Sequence, residues 1–198
     1  MERQRQMTIL GLIRHGVTDW NAAGKIQGQT DIPLNSEGRR QAEVLADWLQ
    51  QDGIPWDAIY SSDLQRAYKT ASIIADTLQL PQVQIDPRIR ERSFGHAEGL
   101  TAEERVARYG ESLEGAGMEA EERIIARGKQ FLDDLLSAKS GKRILIVSHG
   151  GFLKRFNKLL IPDLPDAYID NASLTIVKQE GNGWALKLHN FVAHRIRD

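Results

Sequence analysis

Arg14-His15-Gly16 follows directly on the apolar run Leu10-Gly11-Leu12-Ile13, and Ser148-His149-Gly150 follows in the same way on Ile144-Leu145-Ile146-Val147. Each apolar run reads as a buried strand, and each places an imidazole at the strand's end. A third short run, Ala58-Ile59-Tyr60, stops at Ser61-Ser62, with Arg66 in the first turn of the helix expected after it. If the three strands are parallel neighbours, two histidines and two arginines meet at the carboxyl edge of one sheet, where open α/β sheets bind ligands. Arginine suits phosphate or carboxylate, and neutral imidazole suits nucleophilic attack. Nearby arginines disfavour imidazolium, which keeps His15 nucleophilic, and they stabilise charge on the equatorial oxygens of a phosphoryl group. A leaving alkoxide needs a proton, and Glu91 of Arg90-Glu91-Arg92 is the candidate acid, on a loop expected to cap the pocket. Asn21, Gln27, Ser62 and Gly150 are the candidate substrate-binding residues. Helix N-termini at the same edge are expected to add backbone N–H donors.

The elements that must position these groups alternate along the chain. The apolar stretch 7–13 reads as a first strand behind a brief polar leader, with Gly16 turning the backbone tightly after it. A polar loop is expected from Asp19 to Leu34. A helix capped by Asn35 or Ser36 then shows Ala42, Leu45, Ala46 and Leu49 on one face, and Gly53 and Pro55 end it. Ser62-x-x-Gln65 has the form of a capping box and predicts a helix with Leu64, Ala67, Ala71, Ile74, Ala75 and Leu78 on its core side. Residues 86–117 are less regular, except that Thr101-x-x-Glu104 predicts a short helix ending near Gly110. A longer helix is expected over 119–136, with Ile124, Phe131, Leu132 and Leu135 facing inward. Another follows Ser148-His149-Gly150, with Phe152, Phe156 and Leu159. Gly181-Asn182-Gly183 between two apolar runs predicts a hairpin. Strands alternating with helices predict a three-layer α/β/α sandwich around a mostly parallel sheet. The expectation is one domain over 1–198, with 92–118 as a short, partly helical cover over the pocket.

Composition narrows the function classes. A net charge of −1 argues against a nucleic-acid binder working by bulk charge. The absence of cysteine excludes disulfides, thiolate zinc sites and cysteine nucleophiles, and fits a cytoplasmic location. No segment approaches the ~18 apolar residues that a membrane span requires. Metal binding is disfavoured, because no His-x-x-x-His or His-Glu-x-x-His occurs and the arginines beside the histidines would repel a cation. Gly11-x-x-x-x-Gly16-Val17-Thr18 nearly matches a nucleotide-binding loop, but Val17 stands where its lysine belongs. Ser148 lacks the Gly-x-Ser-x-Gly of an α/β-hydrolase nucleophile. His96, His189 and His194 read as structural or exposed.

Taken together, the motifs resemble those of the histidine phosphatase superfamily, also called phosphoglycerate mutase-like. Arg14-His15-Gly16-Val17-Thr18-Asp19-Trp20-Asn21 resembles its opening Arg-His-Gly-x-Thr-x-x-Asn. Gln27-Gly28 with Asp31, Pro33-Leu34, Gly38 and Gln41-Ala42 is similar to its second block. Ser61-Ser62-Asp63-Leu64-x-Arg66-Ala67-x-x-Thr70-Ala71 is similar to its third. Arg90-Glu91 with Phe94-Gly95 and Glu98-Gly99 resembles the fourth, and Ser148-His149-Gly150 the last. The resemblance implies that His15 is phosphorylated, and that Glu91 serves as general acid and then as base for the attacking water. It implies that Arg14, Arg66 and His149 hold the phosphoryl group with help from Asn21 and Gln27, and that neither a metal nor any other cofactor is needed. Ala97 stands where many members carry tryptophan, and Gly117-Met118-Glu119-Ala120 resembles a Gly-Gly-Glu-Ser motif without its serine. Both departures lie in or beside the covering segment and bear on specificity.

Within that family the expected activity is a phosphatase acting on small phosphomonoesters and releasing inorganic phosphate. A cofactor-dependent phosphoglycerate mutase is the runner-up, since Glu91-Arg92-Ser93-Phe94-Gly95 resembles the mutases' Glu-Arg-x-Tyr-Gly. Ala102 stands where the mutases carry a substrate-gripping lysine. The roughly 40 residues between Tyr109 and His149 leave little room for the mutase insertion. A shorter cover admits water, whereas a mutase must exclude it. A non-catalytic phospho-ligand binding module is the third reading. The expected partner is a small-molecule substrate, with neither nucleic acid nor membrane. The oligomeric state is left open, a homodimer being one choice.

Overall fold

The computed structural model describes residues 7–196, so the expected polar leader lies outside the described residues. Strands β1 (Ile9–Arg14) and β4 (Arg143–Ser148) run side by side and parallel, with Arg14 opposite Ser148. That register brings the residues after each strand, His15 and His149, to the same height on the sheet. Strand β2 (Ala58–Ser61) lies parallel on the far side of β4, with Ser61 opposite Val147, and the short β3 (Gln84–Ile85) extends that edge. On the other side, β5 (Ser173–Glu180) pairs antiparallel with β1, and β6 (Gly183–Val192) returns along it through the hairpin. The order is β3-β2-β4-β1-β5-β6, so the three strands expected to converge stand next to one another.

The central strands carry apolar side chains on both faces, as strands buried by helices must. From β1 and β4, Ile13, Leu145 and Val147 pack on one side with Leu45, Leu49, Ala71 and Ile74. Those partners come from α2 (Ser36–Asp52) and α3 (Gln65–Leu78). Leu10, Leu12, Ile144 and Ile146 pack on the other side with Phe131, Leu135, Phe152 and Phe156. These come from α5 (Glu121–Lys139) and α6 (Gly150–Leu160). The result is the three-layer α/β/α sandwich. A third, small cluster of Ala97, Leu113 and Ala116 packs with Phe94, Tyr109 and Met118 beside helix α4 (Ala102–Tyr109) and forms the covering segment. The Thr101–Glu104 capping box is formed there.

Three local expectations need correction. The segment after Asp19 is not all loop, because Thr18 and Asn21 form a capping box around a one-turn helix, α1 (Asp19–Ala22). Ser62-x-x-Gln65 forms no capping box. Helix α3 starts two residues later than that box would place it, the Ser62 hydroxyl turns to His149, and the Gln65 side chain bonds Asp31. Gly16 is needed for a close approach rather than for an unusual turn. A Cβ there would lie 2.3 Å from the Gly38 carbonyl, and one on Gly38 would lie 2.0 Å from the Val17 carbonyl. The two glycines let the loop after β1 rest directly on the first turn of α2.

Candidate active site

His15 leaves the end of β1 buried, and its Nδ1 lies 2.7 Å from the Gly16 carbonyl. A carbonyl only accepts, so the ring proton sits on Nδ1 and Nε2 keeps a bare lone pair. Burial, then the positive charges of Arg66 and Arg14, hold its pKa well below the ordinary histidine value. The ring is therefore neutral at physiological pH.

His149 caps α6 with its ring centroid 5.1 Å from that of His15, and it is fully buried. Its Nε2 lies 2.7 Å from the Ser62 hydroxyl, which itself accepts the Leu64 N–H at 3.2 Å. Among the described residues Nε2 is the only acceptor the Ser62 O–H meets, so Ser62 is assigned as its donor, which leaves the imidazole proton on Nδ1. That Nδ1 is buried and meets no protein acceptor. Burial first, then the positive charges of Arg66 and Arg14, hold the His149 pKa well below the ordinary histidine value, so this ring is neutral as well.

The two arginines are held by their tips. Arg14 Nη1 donates to the Ile169 carbonyl at 2.5 Å and to the Tyr168 hydroxyl at 2.6 Å, with the Tyr168 ring 5.0 Å from its Cζ. Arg66 Nη1 and Nη2 donate to the carbonyls of Thr30 and Gly28. In both guanidinium groups Nε is buried and without a protein partner. Burial pushes Arg66 down to about 10, so it stays cationic at neutral pH. Two arginine Nε–H groups and the His149 Nδ1–H are thus desolvated donors, a costly arrangement unless an acceptor enters among them.

Glu91 docks on the N-terminus of α6. Its Oε1 accepts the N–H groups of Arg92 and Phe152 at 2.8 and 2.9 Å, and Oε2 accepts that of Gly151 at 2.9 Å. Oε2 carries the lighter load and keeps a lone pair for a proton. The approach requires glycine, because a Cβ on Gly151 would lie 2.5 Å from Glu91 Oε1. Gly150 lies beside it, its Cβ position a tight 3.2 Å from Arg14 Nε.

The helix N-termini, expected to serve a bound anion, are largely taken by side chains. Glu91 holds the N–H groups of Gly151 and Phe152, and Asp31 holds that of Gln65 at the start of α3. The remaining donors are therefore mainly side chains, with Gly150 at the first position of α6. Asn21 and Gln27 lie one step back. Gln27 Oε1 accepts the Thr18 hydroxyl at 2.8 Å, and Asn21 Oδ1 accepts the Thr18 N–H and the Asn171 amide. Asn171 also donates to the His15 carbonyl. His96 is exposed, His189 faces Thr175 at 3.4 Å, and His194 lies beside α2, so none of the three joins the site.

Sequence reasoning missed Tyr168, Ile169 and Asn171, which lie in the irregular stretch between α6 and β5 where no periodicity marks them. It also missed Arg127, one of the two arginines on α5. The covering segment leaves and rejoins the body at Ser93 and Glu119, where the Glu119 N–H donates to the Ser93 carbonyl at 2.9 Å and the Ser93 N–H donates to Glu119 Oε2 at 3.3 Å. An open cleft of about 490 Å³ lies there, lined by Ser93, Gly117, Met118, Glu119, Ala120 and Arg123. Among the described residues, no group of three or more His, Asp or Glu is placed to hold a metal ion, and no helix is long and apolar enough to cross a membrane.

Fold and site define an α/β protein with two neutral histidines and two arginines converging at the carboxyl edge of a mostly parallel sheet. The family model for the histidine phosphatase superfamily (branch 1) matches residues 10–192, and the chain belongs to that superfamily. It is 37% identical over 191 residues to the uncharacterized phosphatase PhoE of Bacillus subtilis (strain 168), covering 95% of this chain and 97% of that one. It is 32% identical over 202 residues to a metal-independent phosphoserine phosphatase of Arabidopsis thaliana, covering 96% and 84%. A mycobacterial glucosyl-3-phosphoglycerate phosphatase shares the fold with a TM-score of 0.82 and 28% identity, covering 92% of this chain and 99% of that one.

Proposed function

We propose that the protein is a metal-independent phosphatase that hydrolyses small phosphomonoesters through a phosphohistidine on His15. One observation carries this reading. The Nε of Arg14, the Nε of Arg66 and the Nδ1 of His149 are buried and unpartnered, and they belong to side chains that neighbour a neutral His15 whose Nε2 is bare. A phosphoryl group supplies the acceptors those donors lack and an electrophile for the lone pair. Nε2 attacks phosphorus, the P–O bond to the ester breaks, and the leaving alkoxide takes a proton from Glu91. Water, deprotonated by Glu91, then attacks the phosphohistidine, releasing phosphate and restoring the imidazole. The relatives named as phosphatases support the class of reaction. Residues 92–118 would choose among esters.

Rapid quenching of the enzyme with a ³²P-labelled phosphomonoester tests the mechanism, with a chelator present throughout. The expected result is a transient label that survives alkali and is lost in acid, absent from His15→Ala, which should not turn over. A stable ester in the presence of the chelator, restored by added metal, would sink the proposal. A panel of phosphomonoesters, run beside a phosphoglycerate isomerisation assay, separates phosphatase from mutase. Tight binding of an ester without turnover would indicate the binding module.

A further inference from the structure

We propose that Arg127, braced by Glu119, is the positioning residue that fixes Glu91 for proton transfer. This rests on the reading of Glu91 as the general acid. Arg127 rises from α5, and all five of its N–H groups are engaged. Nε donates to Glu119 Oε1 at 2.9 Å, Nη1 to the carbonyls of Arg88 and Arg90 at 2.6 and 2.7 Å, and Nη2 to Glu119 Oε2 and the Glu91 carbonyl at 3.0 and 3.1 Å. The guanidinium lies over the Phe152 ring at 5.1 Å, beside the helix terminus that holds the Glu91 carboxylate. Arginine and glutamate are both mostly buried.

The loop depends on this contact more than on any other. Every carbonyl from 88 to 91 accepts from a side chain outside the loop: Arg127 serves 88, 90 and 91, Ser148 serves 89, and Gln29 shares 91. Past the single 3₁₀ turn Pro87–Ile89 the chain has no ladder to set its register, so these bonds set where the Glu91 Cα stands. Only a planar fork reaches three carbonyls and a carboxylate at once, which a lysine ammonium does not. Glu119 keeps the fork oriented, and it also accepts the Ser93 N–H at the stem of the cover. The Gly117-Met118-Glu119-Ala120 stretch thus keeps its glutamate for a mechanical reason, whatever the missing serine does elsewhere.

The test is kcat/KM across phosphate esters of rising leaving-group pKa, from 4-nitrophenyl to alkyl, for wild type, Arg127→Lys, Glu119→Gln, Glu91→Gln and Arg127→Lys/Glu91→Gln. A misplacement of about 1 Å costs on the order of 100-fold, so Arg127→Lys should lose about that much on alkyl phosphate. It should change little on 4-nitrophenyl phosphate, whose phenolate departs without a proton. Glu119→Gln should move in the same direction by less. In the Glu91→Gln background the Arg127→Lys loss should vanish, since there is no proton left to position. A loss that is uniform across the esters, or one that persists in the Glu91→Gln background, overturns the proposal. If Glu91→Gln itself shows no leaving-group dependence, the assignment of the acid fails and this proposal with it. If Glu91→Gln shows the dependence and the Arg127 and Glu119 variants do not, only the clamp fails. Should Arg127→Lys not fold, Glu119→Gln carries the same reading.

Discussion

At the scale of single residues, the site works by controlling where protons sit. The Gly16 carbonyl puts one on Nδ1 of His15, and the Ser62 hydroxyl puts one on Nδ1 of His149. The first leaves a lone pair on the proposed nucleophile, and the second leaves a donor for the proposed anion. Ser62→Ala removes the hydroxyl that fixes the second choice. Inorganic phosphate should then bind more weakly by about 1–3 kcal/mol, the cost of an unsatisfied buried partner. Competitive inhibition by phosphate measures this, and an unchanged inhibition constant would refute the tautomer assignment.

At the scale of elements, α6 does two jobs that depend on glycine at its first two positions, Gly150 and Gly151. It lets Glu91 reach the N–H groups of Gly151 and Phe152, and it lets Arg14 lie against Gly150. Gly151→Ala is therefore expected to separate stability from activity. Alanine favours helix over glycine by up to ~1 kcal/mol, and the atom it meets is the end of a flexible side chain. The melting temperature should hold or rise, while the displaced carboxyl costs turnover of alkyl esters by roughly 100-fold. Full activity with a lowered melting temperature would show that Gly151 serves packing instead.

At the scale of the whole molecule, two neutral histidines buried among cations make stability depend on pH. In the unfolded chain each titrates near 6.5. In the folded protein both are shifted down, so below that value the unfolded state takes up protons that the folded state refuses. Their contribution is complete above about pH 6.5 and is lost as pH falls, by up to about 1.4 kcal/mol per unit for each ring. Urea unfolding in phosphate-free buffer at pH 7.5, 6.0 and 5.0 should show that slope, and His15→Asn/His149→Asn should flatten it. Equal slopes would mean that the rings titrate normally in the folded state.

How much of this was legible in the chain follows from the range of the forces involved. Continuous apolar runs, helix faces, the Thr101–Glu104 cap and the Gly181-Asn182-Gly183 hairpin are local, because neighbours in the chain form them; all were readable. So were His15, Arg14, Arg66, His149 and Glu91 as candidates, because each stands at a recognisable break between elements. The Ser62–Gln65 pattern misled because a local cap lost to two distant partners, His149 and Asp31. The free helix N-termini misled for the same reason, their donors going to Glu91 and Asp31. Tyr168 against Arg14 and Arg127 across the 88–91 loop had no sequence signal at all, since they lie 154 and 36–39 residues from what they touch. The sequence by itself determined which family the protein belongs to and which elements bear its candidate residues. Only the tertiary structure decided which nitrogen holds each proton and which donors remain unpaired, because those depend on contacts whose partners the chain order does not name.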